Sequence, residues 1–378
     1  MALTIDADYV IRGGERDALS PSFRYGEFRS AAGHDAPRVH LDLVSGLQAL
    51  RDVHGSALRI RGTNPAGAPG DAVEGLFAWV SGSPMDALTV AASKLVSQGL
   101  LADAHRAGQR LYVSVRPGAA PPVPVEAALD VAVWVTAGFE TSGDPYQQVT
   151  GNFDGAGLSF GPAQINFGTG TLPPVFEAMR TADEAALRDC FGARYPEWLD
   201  VLALPSRQQV AWADARSTGP RKAGFVQPWR GCLQAVGRVP LFRSILVESA
   251  KAKYGEKMRR AIDQLEALAP GITIDRLRCF AALYDLCTQQ GSLDKALGEI
   301  EKRVAAERPE DQRDLVRIAV TERGATARRP YRADCISRRL SILDRVPVRV
   351  QHSGETARRV NRHLWRIRGV RVEGGAAL

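Results

Sequence analysis

The sequence predicts an α+β protein of two domains, a small mixed α/β domain followed by a mainly α-helical one. The chain has 378 residues, more than one ordinary hydrophobic core organises. Four prolines within residues 117–124 interrupt any helix or central strand. Short strand and helix patterns precede these prolines, whereas long helical periodicities follow them. We therefore place the domains at residues 1–118 and 125–378, joined by a proline-rich linker at 119–124.

In the first domain, apolar residues recur at helical spacing over residues 39–53, which predicts an amphipathic helix. A short strand is predicted at 57–60, followed by a loop at 62–70 that is rich in glycine and proline. A helix over 84–108 and a strand over 109–115 complete the predicted mixed α/β pattern.

The second domain opens with a predicted helix over residues 126–139. Residues 141–171 are rich in glycine, asparagine, aspartate and serine and lack periodic apolar positions, which predicts an irregular segment. Helical periodicity then dominates the rest of the chain. The predicted helices there are 182–190, 241–268, 274–290, 293–307 and 311–321.

The composition is that of a globular protein, with 45% hydrophobic and 24% charged residues. The net charge of +7 favours an anionic partner such as nucleic acid, anionic lipid or an anionic wall polymer. Residues 328–371 are dense in arginine, which fits either electrostatic attraction to such a partner or a solvated helical face. No nucleic-acid-binding signature accompanies them, so nucleic acid is not a predicted partner.

The chain carries an odd number of cysteines without CxxC spacing, which predicts reduced, mostly buried thiols. The first sixteen residues lack a basic segment followed by an apolar stretch, so no signal peptide is predicted. No apolar run approaches the roughly 18 residues that span a bilayer, so membrane insertion is not expected. We expect synthesis in the cytoplasm and action in the periplasm or cell wall after export or lysis.

Two carboxylates carry the candidate chemistry. Glu140 ends a predicted helix beside Phe139, and Asp154 opens an Asp-Gly-x-Gly turn. Cleavage of a glycosidic bond needs one group to protonate the leaving oxygen and a second carboxylate to activate water or attack carbon. A glutamate shielded by apolar neighbours retains its proton, whereas a loop aspartate among polar groups stays ionised. A simple or calcium-like Asp-Gly turn with an unrelated glutamate upstream fits the same residues.

Residues around Asp154 extend this candidate site. Gly155 and Gly157 are able to take positive φ and let a bulky sugar approach the backbone. Ser159 is placed to hydrogen-bond an attacking water. Gln164 and Asn166 follow as candidate substrate-binding side chains.

The run DGAGLSFG from Asp154 to Gly161, after Glu140, resembles the active-site region of the family 46 chitosanases, within the lysozyme-like superfamily. The resemblance covers about residues 125–345. It implies that Glu140 is the proton donor, Asp154 the base and Ser159 the residue that positions water. It also implies inversion at the anomeric carbon.

Two further segments resemble the same family. The run YDLCTQQG at 284–291 resembles a helix end, which makes Asp285 a candidate substrate-binding residue, and Arg338-Arg339 resembles a basic pair on a late helix. The loop between Glu140 and Asp154 is short, and residues 162–168 depart from the chitosanase sequence. This departure argues against chitosan itself as the substrate.

The first domain resembles the zinc D-Ala-D-Ala carboxypeptidases in the runs SPSFRYGEF, RVHLDL and LYVSVRP. The positions of the metal ligands, however, hold Ala72 and Trp79, and the strand that carries the last ligand reads Tyr112-Val113-Ser114. Because these side chains cannot replace a His/Asp set at zinc, no metal and no cofactor are predicted. The resemblance implies a domain that binds peptidoglycan stem peptide or serves as a docking module.

Together these features predict an inverting glycoside hydrolase of the muramidase or glucosaminidase type that degrades peptidoglycan. The protein would act as an endolysin or as a secreted antibacterial effector, with secretion machinery or an immunity protein as partners. One alternative is a chitosanase that acts on a chitosan-like polysaccharide. The other is a non-catalytic wall-binding or particle-structural protein.

Overall fold

A computed structural model describes residues 4–6, 8–34, 37–63, 75–118, 120–140, 143–162 and 164–374. The chain is α+β, as the sequence predicts. The helices are α1 Tyr25–Ala32, α2 Leu41–His54, α3 Met85–Ser97, α4 Val125–Ala137, α5 Leu172–Phe191, α6 Tyr195–Ala203, α7 Ser206–Asp214, α8 Trp229–Val236, α9 Pro240–Leu268, α10 Leu277–Gln290, α11 Leu297–Glu307, α12 Gln312–Ala325 and α13 Arg332–Asp344. The strands are β1 Thr4–Asp6, β2 Tyr9–Arg12, β3 Val39–His40, β4 Arg59–Gly62, β5 Phe77–Ser81, β6 Asp103–Ala107, β7 Arg110–Ser114, β8 Val149–Thr150, β9 Ser159–Phe160, β10 Ile165–Asn166, β11 Ser217–Thr218, β12 Gly224–Phe225, β13 Arg349–His352 and β14 Glu355–Arg358.

The chain divides into two compact units whose boundaries differ from the predicted domains. The first unit combines Met1–Val131 with Arg260–Ala377, and the second is formed by Ala132–Arg259. The predicted boundary near residue 118 therefore does not separate two compact bodies. The physical reason is that the C-terminal helices pack with the N-terminal segment in one unit.

The N-terminal part of the first unit is built on an antiparallel sheet with the strand order β4-β5-β7-β6. Apolar side chains of this sheet share a hydrophobic core with α2 and α3, including Leu47, Val80 and Leu95. The helix predicted over 84–108 is too long. Gly99 follows α3 with a φ of 67°, and the chain then enters β6.

The proline-rich segment is not a free linker. Val123 donates its N–H to the carbonyl oxygen of Arg371 at 2.9 Å and accepts from the N–H of Glu373 at 2.8 Å. Proline cannot donate a backbone hydrogen bond, but Val123 between two prolines can. The segment therefore pairs with the C-terminal end of the same compact unit, and Ala119 lies outside the described residues.

Two ion pairs join the N-terminal and C-terminal parts of the first unit. The Arg278 guanidinium donates to Asp8 at 2.5 Å, and that of Arg345 donates to Asp42 at 2.7 Å. Burial alone raises the pKa of Asp42, but the charge of Arg345 and a hydrogen bond from the N–H of Gly369 outweigh it and lower that pKa below 3.8. Folding therefore favours the ionised carboxylate.

The substitution Asp42→Asn tests this ion pair through the pH dependence of stability. Because the folded-state pKa is lowered, the contribution of Asp42 is complete above its ordinary pKa of 3.8 and is lost as the pH falls through the lower folded value. We expect the variant to be less stable than the wild type at neutral pH and this difference to shrink below pH 3.8. Urea denaturation across this range measures it, and a difference independent of pH contradicts the assignment.

The C-terminal part of the first unit packs α10, α12 and α13 together. Cys279 and Cys287 lie buried on α10, and burial raises the pKa of Cys279 to about 12. The arginine-rich stretch is not simply a solvated face, because Arg338 and Arg339 of α13 are 1% and 0% exposed. They point inward because each donates to a buried carboxylate, described below.

The second unit holds a small antiparallel sheet with the strand order β10-β9-β8 and a cluster of aromatic side chains. Trp198 of α6 is fully buried, and its ring contacts those of Phe176 and Phe191 at centroid distances of 4.9 and 5.0 Å. The predicted helix at 182–190 is only the second half of α5, which begins with two prolines in its first turn, where proline is tolerated. In the described part of the chain, no helix is long and apolar enough to cross a membrane.

Candidate active site

Glu140 follows α4 in a turn of the second unit. Its backbone N–H donates to the carbonyl oxygen of Ala137 at 2.9 Å, which closes the end of the helix. Phe139 turns inward and is 6% exposed, whereas Glu140 is exposed to solvent. The predicted apolar shielding of Glu140 is therefore absent in the unliganded chain, because the neighbouring phenylalanine packs into the core and not over the carboxylate. Thr141 and Ser142 lie outside the described residues.

Asp154 lies in the loop between β8 and β9 and is exposed. Its Oδ1 accepts a hydrogen bond from the N–H of Ala156 at 3.1 Å, the geometry of an Asx turn. Within the described residues it forms no ion pair. Other carboxylates of the second unit are neutralised by neighbouring cations, as in the pairs Asp144–Arg243, Glu184–Arg188, Glu197–Arg216 and Asp214–Lys222. Asp154 is therefore an exposed anion with one oxygen free for a ligand or water.

The two glycines of the loop serve different purposes. Gly155 has a φ of 86° and Gly157 a φ of 79°, so both occupy the left-handed region that favours glycine. A Cβ on Gly155 would meet open space, which leaves the backbone accessible to a bulky ligand. A Cβ on Gly157 would lie 3.1 Å from the Cα of Val210. Gly157 therefore allows close packing on α7 and does not offer the approach to a sugar that the sequence predicted.

Asn152 holds the loop in place, a role that the sequence reasoning missed. Its Oδ1 accepts from the N–H of Gly157 at 2.8 Å, and its Nδ2 donates to Asp214 at 2.6 Å. Its backbone N–H donates to the hydroxyl of Ser217 at 2.9 Å. The Asp154 loop is thus tied at three points to α7 and β11. An asparagine two positions before an Asp-Gly turn is the signal that was available in the sequence.

The substitution Asn152→Ala removes two of these three ties and leaves Asp154 itself unchanged. We expect kcat for glycan hydrolysis to fall about 10- to 100-fold, because a catalytic group displaced by about 1 Å loses activity on that scale. Steady-state hydrolysis of a soluble glycan measures the effect.

Asn361→Ala is the matched control, since that asparagine makes an equivalent bond to the N–H of His363 at 2.8 Å in the first unit. It should leave kcat unchanged. Unaltered activity of Asn152→Ala would show that the loop needs no such support.

Ser159 lies in β9, the central strand of the small sheet, where it pairs with Thr150 and Asn166. It is 2% exposed, so its hydroxyl reaches only a water enclosed beside the strand. The side chain of Asn166 is engaged locally, because its Oδ1 accepts from both the N–H and the hydroxyl of Thr169 at 2.8 Å. Gln164 is exposed at a φ of 50°. Of these two predicted substrate-binding residues, Gln164 has the accessible side chain.

Phe153 is an exposed aromatic side chain that the sequence reasoning did not single out. It is 52% exposed and immediately precedes Asp154 on the loop that Asn152 anchors. Aromatic rings present a large apolar face, and sugars present apolar C–H groups. Its position beside a candidate catalytic carboxylate was the signal available in the sequence.

Asp285 lies away from any surface, which corrects its assignment to substrate binding. It belongs to the first unit and is 0% exposed. Its Oδ1 accepts from Arg338 at 2.8 Å and its Oδ2 from Arg339 at 3.3 Å. Both oxygens are occupied by buried guanidinium groups, so Asp285 stabilises the packing of α10 against α13.

In the first unit, Trp79 and Tyr112 face each other on β5 and β7. They form a direct cross-strand pair, and their ring centroids lie 5.4 Å apart. His105 of β6 stacks on Tyr112 at 4.6 Å. Ala72 lies outside the described residues. Among the residues that the structure does describe, no group of three or more His, Cys, Asp or Glu could hold a metal ion.

No protein-family model matches the chain, and no curated protein matches it. Solved structures of chitosanases show similarity. The native chitosanase from Bacillus subtilis MY002 and a mutant of it complexed with 6 GlcN are each 14% identical with a TM-score of 0.38, covering 62% of this chain and 99% of theirs. The complex of Gynuella sunshinyii GH46 chitosanase GsCsn46A with chitotetraose is 17% identical with a TM-score of 0.36, covering 62% and 98%. Similarity at this level does not establish a shared activity, so the function is inferred from the chain's own residues.

Proposed function

We propose that the protein is a glycoside hydrolase that degrades peptidoglycan, with Glu140 as general acid and Asp154 as general base. The observation that carries this proposal is the state of Asp154. It is exposed, forms no ion pair within the described residues, and lies on a glycine turn that three hydrogen bonds of Asn152 hold in place. An ionised carboxylate held in one position and open to solvent is what activation of water requires.

The division of labour follows the chemistry of glycoside hydrolysis. Glu140 donates its proton to the leaving glycosidic oxygen, and Asp154 removes a proton from the attacking water. Ser159 positions that water, and the reaction inverts the anomeric carbon. Both carboxylates belong to the same compact unit, and each lies in an exposed turn. The resemblance of the DGAGLSFG run to the family 46 chitosanases supports these three roles.

Three features support peptidoglycan as the substrate. Residues 162–168 depart from the chitosanase sequence, the N-terminal segment resembles peptidases of the cell wall, and the net charge of +7 suits an anionic wall. Action on a wall places the protein in the periplasm or cell wall, reached through secretion machinery or through lysis. A secreted effector of this type also requires an immunity protein in the cell that produces it.

Digestion of two substrates tests the proposal. Purified sacculi and soluble chitosan are incubated separately with the protein, and soluble sugars with new reducing ends are quantified. We expect muropeptides to be released from sacculi. Release from chitosan alone would support the chitosanase alternative. Binding to sacculi without any new reducing end would support the wall-binding alternative and contradict catalysis.

A further inference from the structure

A cavity of about 610 Å³ in the first compact unit is lined by charged groups. Its walls include Asp8 from the N-terminal segment, and Arg276, Arg278, Arg313 and Arg368 from the C-terminal segment. The volume lies within the range of small-molecule sites, roughly 300–1,000 Å³. None of the residues proposed for glycan hydrolysis lines this cavity.

Some of these groups already have partners of opposite charge. Arg278 donates to Asp8 at 2.5 Å, and Arg313 donates to Asp344 at 2.7 Å. Among the residues that the structure describes, Arg368 makes no hydrogen bond and no ion pair. The side chain of Arg276 makes one long bond, from Nη1 to the carbonyl oxygen of Gly369 at 3.4 Å. The cavity therefore holds two guanidinium groups that no carboxylate neutralises.

The surroundings of Arg368 favour an anion. Burial lowers the pKa of Arg368, and the positive charge of Arg345 lowers it further, against the opposite effect of Asp42. A partly buried cation without a paired anion is costly, and a guanidinium binds carboxylate through two parallel hydrogen bonds. The contact of Arg276 with Gly369 places its guanidinium at the chain segment that carries Arg368.

The cavity also holds an acceptor without a donor. Oδ1 of Asp8 is buried and accepts no hydrogen bond in the described part of the chain, whereas Oδ2 binds Arg278. A buried carboxylate oxygen without a donor costs free energy that a ligand N–H group recovers. The lining thus offers cationic donors together with an anionic acceptor.

We propose that this cavity binds a small zwitterion of amino-acid or dipeptide size. The ligand carboxylate lies against Arg368 and Arg276, and the ligand ammonium donates to Oδ1 of Asp8. Free amino acids and the ends of peptidoglycan stem peptides share this chemistry. The proposal does not depend on the glycoside hydrolase activity.

Isothermal titration calorimetry with the full chain tests the site. The probes are free alanine of either chirality, the dipeptide alanyl-alanine, its N-acetyl form, its C-terminal amide, a purified stem tetrapeptide and inorganic phosphate. We expect a zwitterionic probe to bind, and both blocked dipeptides to bind at least tenfold more weakly than the free dipeptide. Tighter binding of the tetrapeptide identifies the wall as the source, and tighter binding of alanine identifies a free amino acid.

Arg368→Ala should weaken binding at least tenfold, Arg368→Lys should weaken it less, and the exposed Arg362→Ala should leave it unchanged. Thermal unfolding of each variant confirms that it is folded. The proposal is overturned if no probe binds, if phosphate binds as tightly as the zwitterions, or if a folded Arg368→Ala binds like the wild type.

Discussion

Replacing Glu140 with glutamine is expected to lower kcat for peptidoglycan hydrolysis by about a thousandfold, the scale of a general acid's contribution. The side chain keeps its size and its hydrogen-bonding capacity but no longer has a proton to donate to the leaving oxygen. Because Glu140 is exposed at the surface of a turn, the variant should fold and unfold like the wild type. Release of reducing sugars from sacculi at saturating substrate measures the loss.

Glu248→Gln is the matched control for this variant. Glu248 is an exposed glutamate of the same compact unit, on α9, and it has no assigned role in the chemistry. Its substitution should leave kcat and stability unchanged. Equal activity of Glu140→Gln and the wild type would remove Glu140 as the acid.

The second large effect concerns stability. Asp285→Ala is expected to lower the free energy of unfolding by about 3–5 kcal/mol, the usual result of breaking a buried ion pair from one side. The substitution leaves Arg338 and Arg339 buried without the carboxylate that neutralises them. Burial already lowers the pKa of Arg339, and the charge of Asp285 opposes that effect. Urea denaturation followed by tryptophan fluorescence measures the loss.

Asp294→Ala separates burial from pairing in this test. Asp294 also pairs with an arginine, Arg260 at 2.9 Å, but at an exposed position where solvent screens the interaction. We expect little change in stability from this substitution. A loss as small for Asp285→Ala would contradict the assignment of Asp285 as the buried centre of the contact between α10 and α13.

Sequence reasoning succeeded where one helix buries one face. The apolar periodicity of residues 39–53 corresponds to α2, and residues 241–268 correspond closely to α9. It failed at β6, whose sequence DAHRA is largely exposed and lacks the apolar alternation of a half-buried strand. The division into compact units was also beyond reach, because ion pairs such as Asp42–Arg345 join residues some three hundred positions apart.

The candidate site was predictable in its loop and less so in its surroundings. The glycines after Asp154 do take positive φ, as turn chemistry requires. The inward turn of Phe139, which leaves Glu140 exposed, depends on tertiary packing that no local pattern encodes. The same holds for Asp285, since an aspartate in an apolar helix gives no sign of the two arginines that neutralise it from α13.

The most direct test of glycoside hydrolysis is digestion of sacculi in water labelled with oxygen-18, followed at once by borohydride reduction and mass spectrometry of the products. Hydrolysis of a glycosidic bond places one solvent oxygen on the anomeric carbon. Labelled sugar alditols, formed by the wild type and not by Glu140→Gln, are the result predicted here. Label confined to peptide carboxyl groups, or products that carry no label, would contradict the proposed function.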